Sequence, residues 1–161
     1  MYAFDECAGT PKFCEPVWQA VLPGITRGGA TVDNGRVYVT TSKTFGVFDA
    51  AGVTGCSGTP TTCLPLWTAV TTSNKPATVA DGRVFVPTTG NPIEVYDAAG
   101  ITGCSGSPVR CQPLYHLKTS HLVDSMTFGV VAVNNGLAYS IALSQTFVWD
   151  ATGSTNCSGS G

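Results

Sequence analysis

The sequence predicts an all-β fold, a partial β-propeller of about three four-stranded antiparallel blades with thirteen strands. Three observations predict it. First, the chain repeats itself: the segment running from Phe48-Asp49 through Cys56 and Cys63 to Leu66-Trp67 returns 48 residues later, from Tyr96-Asp97 through Cys104 and Cys111 to Leu114-Tyr115. An earlier copy runs from Phe4-Asp5 to Val17-Trp18, and a fourth starts at Trp149-Asp150 and reaches Gly161. Second, Asn-Gly or Asp-Gly pairs sit between apolar runs at Asn34-Gly35, Asp81-Gly82 and Asn135-Gly136, the strongest short hairpin signal. Third, no stretch shows helical periodicity. A strand-rich unit near 48 residues fits a propeller blade.

The elements follow in order within each repeat. A first strand (Ala30-Thr31-Val32, Ala77-Thr78-Val79, Val131-Ala132-Val133) leads into the Gly turn. A second strand leaves it (Arg36–Thr40, Arg83–Val86, Leu137–Ser140). The third strand ends in an aromatic followed by Asp: Phe48-Asp49, Tyr96-Asp97, Trp149-Asp150. A cysteine-bracketed loop rich in Gly, Ser, Thr and Pro comes next. The fourth strand opens after Pro16, Pro65 or Pro113, which suits a strand start. The organisation is a half blade over 1–24, blades over 25–71 and 72–119, and an incomplete blade over 120–161. The chain thus begins and ends in a third strand. It reads as part of a longer chain or as a protomer completed by others.

Composition sets limits. Charged residues make up 11%, hydrophobic ones 43%, and the net charge is −2. That balance supplies no electrostatic reason to expect nucleic acid or an anionic membrane. No run of 18 apolar residues is present, so no membrane insertion is expected. The seven cysteines are patterned: Cys7/Cys14, Cys56/Cys63 and Cys104/Cys111 each enclose six residues, and Cys157 opens a fourth pair. Disulfides, a metal site and reduced structural thiols are the three readings of such a pattern. Zinc sites show closer spacing and gather four ligands, so a disulfide within each repeat is the expectation. Closing an eight-residue loop is worth about 2.5 kcal/mol in the chain-entropy model. Disulfides persist in oxidising compartments, which points to a secreted, periplasmic or cell-surface protein.

At these motifs the chain resembles the pyrroloquinoline-quinone-like (quinoprotein-type) propeller repeats. Val84-Phe85-Val86, Val95 to Gly100 and Pro65 to Ala69 carry the resemblance, and it covers essentially the whole chain. The family includes quinone-dependent dehydrogenases, outer-membrane assembly scaffold lipoproteins and secreted proteins without an assigned activity. The resemblance implies quinone (PQQ) and calcium only for the dehydrogenases, which hold them with an adjacent Cys-Cys disulfide, Glu and Asn ligands and a catalytic Asp. This chain has no adjacent cysteines, and its glutamates, Glu6, Glu15 and Glu94, are scattered. No catalytic, cofactor-binding or metal residue carries over.

Other candidates have plainer roles. Asp5, Asp49, Asp97 and Asp150 recur at one place and are expected to cap a turn by accepting backbone N–H bonds. Trp18, Trp67 and Tyr115 are expected to pack between blades, with Val32, Val37, Val39, Val47, Val79, Val84, Val86 and Val95 buried on alternating faces. His116 stands at the position of Gln19 and Thr68, a surface strand position. The linker after the third blade is five or six residues longer than its copies. It supplies a candidate binding loop of His121, Asp124, Ser125, Met126 and Phe128.

The leading reading is a non-catalytic binding or scaffolding module with no cofactor. A fragment of a quinone-dependent oxidoreductase and a self-assembling ring protein are the alternatives. The expected partner is the chain itself, the missing blades of a longer chain, or another protein. Two chains carry 26 strands, and sharing the duplicated third strand at each junction leaves 24. A homodimer would therefore complete a six-bladed ring, with Tyr2–Asp5 and Phe147–Asp150 competing for one slot and Cys157 near the seam.

Overall fold

The structure, a computed structural model, describes residues 2–11, 13–26, 28–90, 92–119 and 128–155, with side chains from residue 9 onward. Seventeen strands lie in this part of the chain: β1 (Tyr2–Ala8), β2 (Phe13–Gln19), β3 (Ala30–Asp33), β4 (Arg36–Thr40), β5 (Thr44–Asp49), β6 (Cys56–Ser57), β7 (Thr62–Cys63), β8 (Trp67–Val70), β9 (Thr78–Ala80), β10 (Arg83–Pro87), β11 (Ile93–Asp97), β12 (Cys104–Ser105), β13 (Arg110–Cys111), β14 (Tyr115–Leu117), β15 (Ala132–Asn134), β16 (Leu137–Ala142) and β17 (Gln145–Asp150). No helix occurs among the described residues. Thirteen of the strands belong to blades, as expected. The other four are the two-residue pairs β6–β7 and β12–β13, inside segments expected to be plain loops.

The Gly turns set the hairpins. Asn34, Asp81 and Asn135 have φ of 44°, 50° and 50°, and the glycine after each lies between 72° and 74°. Both central residues are thus left-handed, the arrangement of a two-residue turn whose twist matches the strands. Asp33 then pairs with Arg36, Ala80 with Arg83 and Asn134 with Leu137. The β16–β17 turn reaches the same conformation with Leu143 and Ser144, at φ of 47° and 65°, where neither residue is well suited.

Blade two is ordered β8-β5-β4-β3 and blade three β14-β11-β10-β9, both antiparallel. Blade four holds β15-β16-β17, and β1-β2 form the half blade. Three apolar cores lie between successive sheets. Trp18 packs with Val37, Val39 and Phe48; Tyr38, Phe45, Val47 and Trp67 pack with Val84, Val86 and Tyr96; Phe85, Ile93, Val95 and Leu117 pack with Phe128, Val131 and Ala138. Strand alternation explains this, since neighbours on one strand serve opposite interfaces. Six of the eight valines expected in the core are buried, while Val79 is half-buried. Val32 is corrected: it is 66% exposed. It lies on β3, the first strand of its blade and an edge of its sheet, so no neighbouring strand covers that side. Tyr115 is half-buried, and Trp18 and Trp67 are fully buried.

Candidate functional site

Each third strand ends in an Asp whose carboxylate organises the following turn. Asp49 accepts the N–H groups of Ala51, Val53 and Thr54 at 3.0, 3.1 and 2.7 Å. Asp97 repeats this with Ala99, Ile101 and Thr102, and Asp150 with Thr152, Ser154 and Thr155. The Thr54 and Ala51 N–H groups hold the Asp49 carboxyl below the usual range. At Asp97 partial burial pushes upward, and the N–H bonds from Thr102, Ala99 and Ile101 outweigh it. At Asp150 the Thr152 hydroxyl leads a set of bonds with the same lowering effect. A carboxylate tied to three donors is a turn cap, not a general base. The side chain of Asp5 lies outside the described residues.

The turn then receives the neighbouring blade. Trp18 Nε1 donates to the Ala50 carbonyl at 3.2 Å, and the Tyr115 hydroxyl donates to the equivalent Ala151 carbonyl at 2.5 Å. The middle member of this series is taken twice over, by Arg36 at 2.5 Å and the Tyr38 hydroxyl at 3.3 Å, both donating to Ala98 O. Buried Trp67 Nε1 consequently has no hydrogen-bond partner. A polar cleft of about 250 Å³ opens here, lined by Asp33, Asn34, Arg36, Tyr38 and the Asp97–Ala99 turn. The Asp97 carboxylate is already engaged by its own turn, and the Arg36 guanidinium by the blade contact to Ala98 O.

The cysteine loops are built structures. Cys56–Cys63 and Cys104–Cys111 are disulfide-bonded, and each closes a small hairpin, β6–β7 or β12–β13. Cys7 stands opposite Cys14 in the same register; the Cys7 side chain lies outside the described residues, as does Cys157. Each hairpin leaves its own blade and adds a parallel strand to the outer strand of the blade before. Gln19 pairs with Thr62, its N–H donating to Thr61 O at 3.0 Å. Thr68 pairs with Arg110, its N–H donating to Val109 O at 3.1 Å. Sequence reasoning missed this clasp. The available signal was the constant Cys-x₆-Cys length with a Gly and a Pro at each tip, which is hairpin chemistry.

Of the candidate binding loop, His121, Asp124, Ser125 and Met126 lie outside the described residues. Phe128 is fully buried, edge-on to Phe147 at 5.6 Å and to Trp149 at 5.2 Å. Its side chain is core, withheld from any ligand. His116 is exposed on the outer strand of blade three. Among the described residues no cluster of His, Cys, Asp or Glu could hold a metal ion, and no helix is long and apolar enough to cross a membrane.

Blade four presents a different surface. Val47 and Val95, at one repeat position, are fully buried, but their counterpart Val148 is 51% exposed. Tyr38 and Phe85 are buried, while their counterpart Tyr139 is only half-buried. Thr40 and Pro87 are buried, and their counterpart Ile141 is 60% exposed. Residues that meet a following sheet in blades two and three meet none here among the described residues. The sheets fan out as blades, and the last has an open face.

The fold is a partial β-propeller. Among solved structures the chain is similar to the crystal structure of BamB from Moraxella catarrhalis, with a TM-score of 0.58 and 17% identity, over 85% of this chain and 40% of that one. The likeness is one of fold. This chain spans two fifths of that structure's length. No family model and no curated protein matches the sequence.

Proposed function

We propose that this chain is a non-catalytic propeller module of a secreted or periplasmic protein, used for binding and scaffolding. Its docking surface is the open face of blade four. The observation that carries the reading is the exposure of Val148, Ile141 and Tyr139 at positions buried in the other blades. Contiguous apolar surface of this kind marks an association site. The partner that fits is another blade, because the repeats themselves show what covers these positions. A second copy supplies one; further blades of a longer chain would serve the same face. The two disulfides support an oxidising compartment. The Asp residues that could have suggested acid–base chemistry are engaged as turn caps.

Sedimentation velocity across micromolar concentrations tests the reading. The wild-type chain should associate, and V148D/I141D should be monomeric with an unchanged circular dichroism spectrum. A variant that associates as before would place docking elsewhere. Adding the quinone with Ca²⁺ should shift neither absorbance nor melting temperature; a saturable shift would replace this reading with the oxidoreductase one.

A further inference from the structure

The polar cleft between blades two and three departs from what the repeat builds elsewhere. It is lined by Asp33, Asn34, Arg36, Tyr38, Gly82 and the Asp97–Ala99 turn. The next interface along serves as an internal control, with Ala80, Asp81, Arg83 and Phe85 in place of Asp33, Asn34, Arg36 and Tyr38. There the first carboxylate and the hydroxyl are missing, and Tyr115 bonds the turn carbonyl of Ala151. In the cleft, Arg36 and Tyr38 bond Ala98 O instead. Buried Trp67 Nε1, which lies against Gly100 of the same turn, is left unpaired. The lining groups keep bonding capacity. Asp33 and Asn34 are exposed, and neither side chain bonds another described residue. Arg36 uses Nη1 on Ala98 O and keeps the rest of its N–H fork. The Tyr38 hydroxyl donates to Ala98 O and can still accept.

We propose that this cleft binds a neutral polyhydroxylated ligand, one saccharide residue either free or at the end of a glycan. Size, charge and bonding pattern set the class. The volume of about 250 Å³ lies below the roughly 300–1,000 Å³ of sites for drug-sized molecules, so it suits a single small ring. The charges are mixed, with the Asp33 and Asp97 carboxylates beside the Arg36 guanidinium. An anion would meet the carboxylates and a cation the guanidinium, whereas a neutral ligand meets no like charge. The unused groups are mixed as well: Asp33 accepts, Arg36 donates and Asn34 does both. A sugar hydroxyl donates and accepts at once, so neighbouring hydroxyls can pair with all three. No residue of the blade-four face lines the cleft, and the inference stands independently of that reading.

Amide NMR of the isotope-labelled chain tests this, with glucose, galactose, mannose and N-acetylglucosamine added in turn, each also as its methyl glycoside. At least one sugar should shift the Asn34, Gly82 and Ala99 amides saturably. Binding of the free sugar alone assigns the site to a free saccharide, and equal binding of the glycoside assigns it to a glycan end. Asp33→Ala and Tyr38→Phe install the residues that the next repeat carries, Ala80 and Phe85, and both variants should keep the wild-type circular dichroism spectrum. D33A should raise the Kd roughly tenfold or more by removing a charged acceptor, and Y38F should raise it less. V148D/I141D should bind the sugar like the wild type, whether or not blade four docks against another copy. If no sugar gives a saturable shift, or D33A binds as tightly as the wild type, the proposal is wrong. Acetate or methylammonium shifting these amides where the sugars do not would make the cleft an ion site and overturn it equally.

Discussion

Trp67 gives the sharpest test of the blade packing. Its side chain is 2% exposed, with Phe45 at 5.3 Å and Tyr96 at 6.1 Å between ring centroids. Truncation to alanine empties the centre of the interface between blades two and three, and removing a buried Trp costs about 3–5 kcal/mol. Trp67→Phe asks a finer question. Trp67 Nε1 is buried without an acceptor because Arg36 and Tyr38 hold Ala98 O. Phe keeps a ring and removes the orphan donor, relieving a penalty of about 1–3 kcal/mol. At Trp18 the same change loses a real bond, to Ala50 O at 3.2 Å, worth about 1 kcal/mol. W67F should therefore be milder than W18F by about 1 kcal/mol or more. Equilibrium urea unfolding followed by far-UV circular dichroism measures all three variants without relying on tryptophan emission. A W67A cost under about 1 kcal/mol would mean the Trp is not core. W67F equal to or worse than W18F would refute the contested-carbonyl argument.

Replacing Cys56 and Cys63 together with Ser should lower stability by about 2.5 kcal/mol, and hydrogen exchange at the Gln19 amide should accelerate as the bond to Thr61 O is lost. The lowered carboxyls of Asp49 and Asp97 contribute stability above the unfolded value of about 3.9, and it is lost as pH falls through their folded values. Urea midpoints should thus drop from about pH 4 downward, with D97N flattening the profile. Gly100→Ala should destabilise strongly, since φ is +69° and the new Cβ would lie 2.2 Å from Trp67 Cδ1; a neutral result in a melting experiment would contradict that contact. Ser144→Gly should raise stability by about 0.5–1 kcal/mol by suiting the left-handed turn, readable as a higher urea midpoint.

The blade strands were legible because their signals are local. Asn34-Gly35 and its copies fix a turn, and the Asp after each third strand caps the next one. Both depend on a few adjacent residues. What was hidden depends on neighbours in space. Val32 and Val37 look alike in sequence, yet one lies on an edge strand and the other between sheets. Phe128 sits in an irregular linker and reads as loop, but Phe147 and Trp149 bury it. The clasp was hidden for a related reason. Its hairpin is short, and its partner strand lies in the preceding repeat, 43 residues away for Gln19 and Thr62.

The clasp also explains how an open stack of blades can hold together. A repeat array gains stability within each unit and across each neighbouring interface. Here every interface between described blades has an apolar middle and is pinned at its inner strand or its outer one. Toward the first strands, Thr31 Oγ1 donates to Ala77 O and Thr78 Oγ1 to Val131 O, both at 2.5 Å. At the outer strands, the β7 and β13 hairpins add backbone bonds from one blade to the one before. Apolar packing alone lets sheets slide, whereas directional bonds at the rims fix their register. The first interface has its outer pin between Gln19 and Thr62, and the second has both kinds. The third has the inner pin at Thr78, while the outer edge of β14 has no described strand upon it. Among the described residues the first and third interfaces thus keep one pin each, at opposite rims, and the second keeps both.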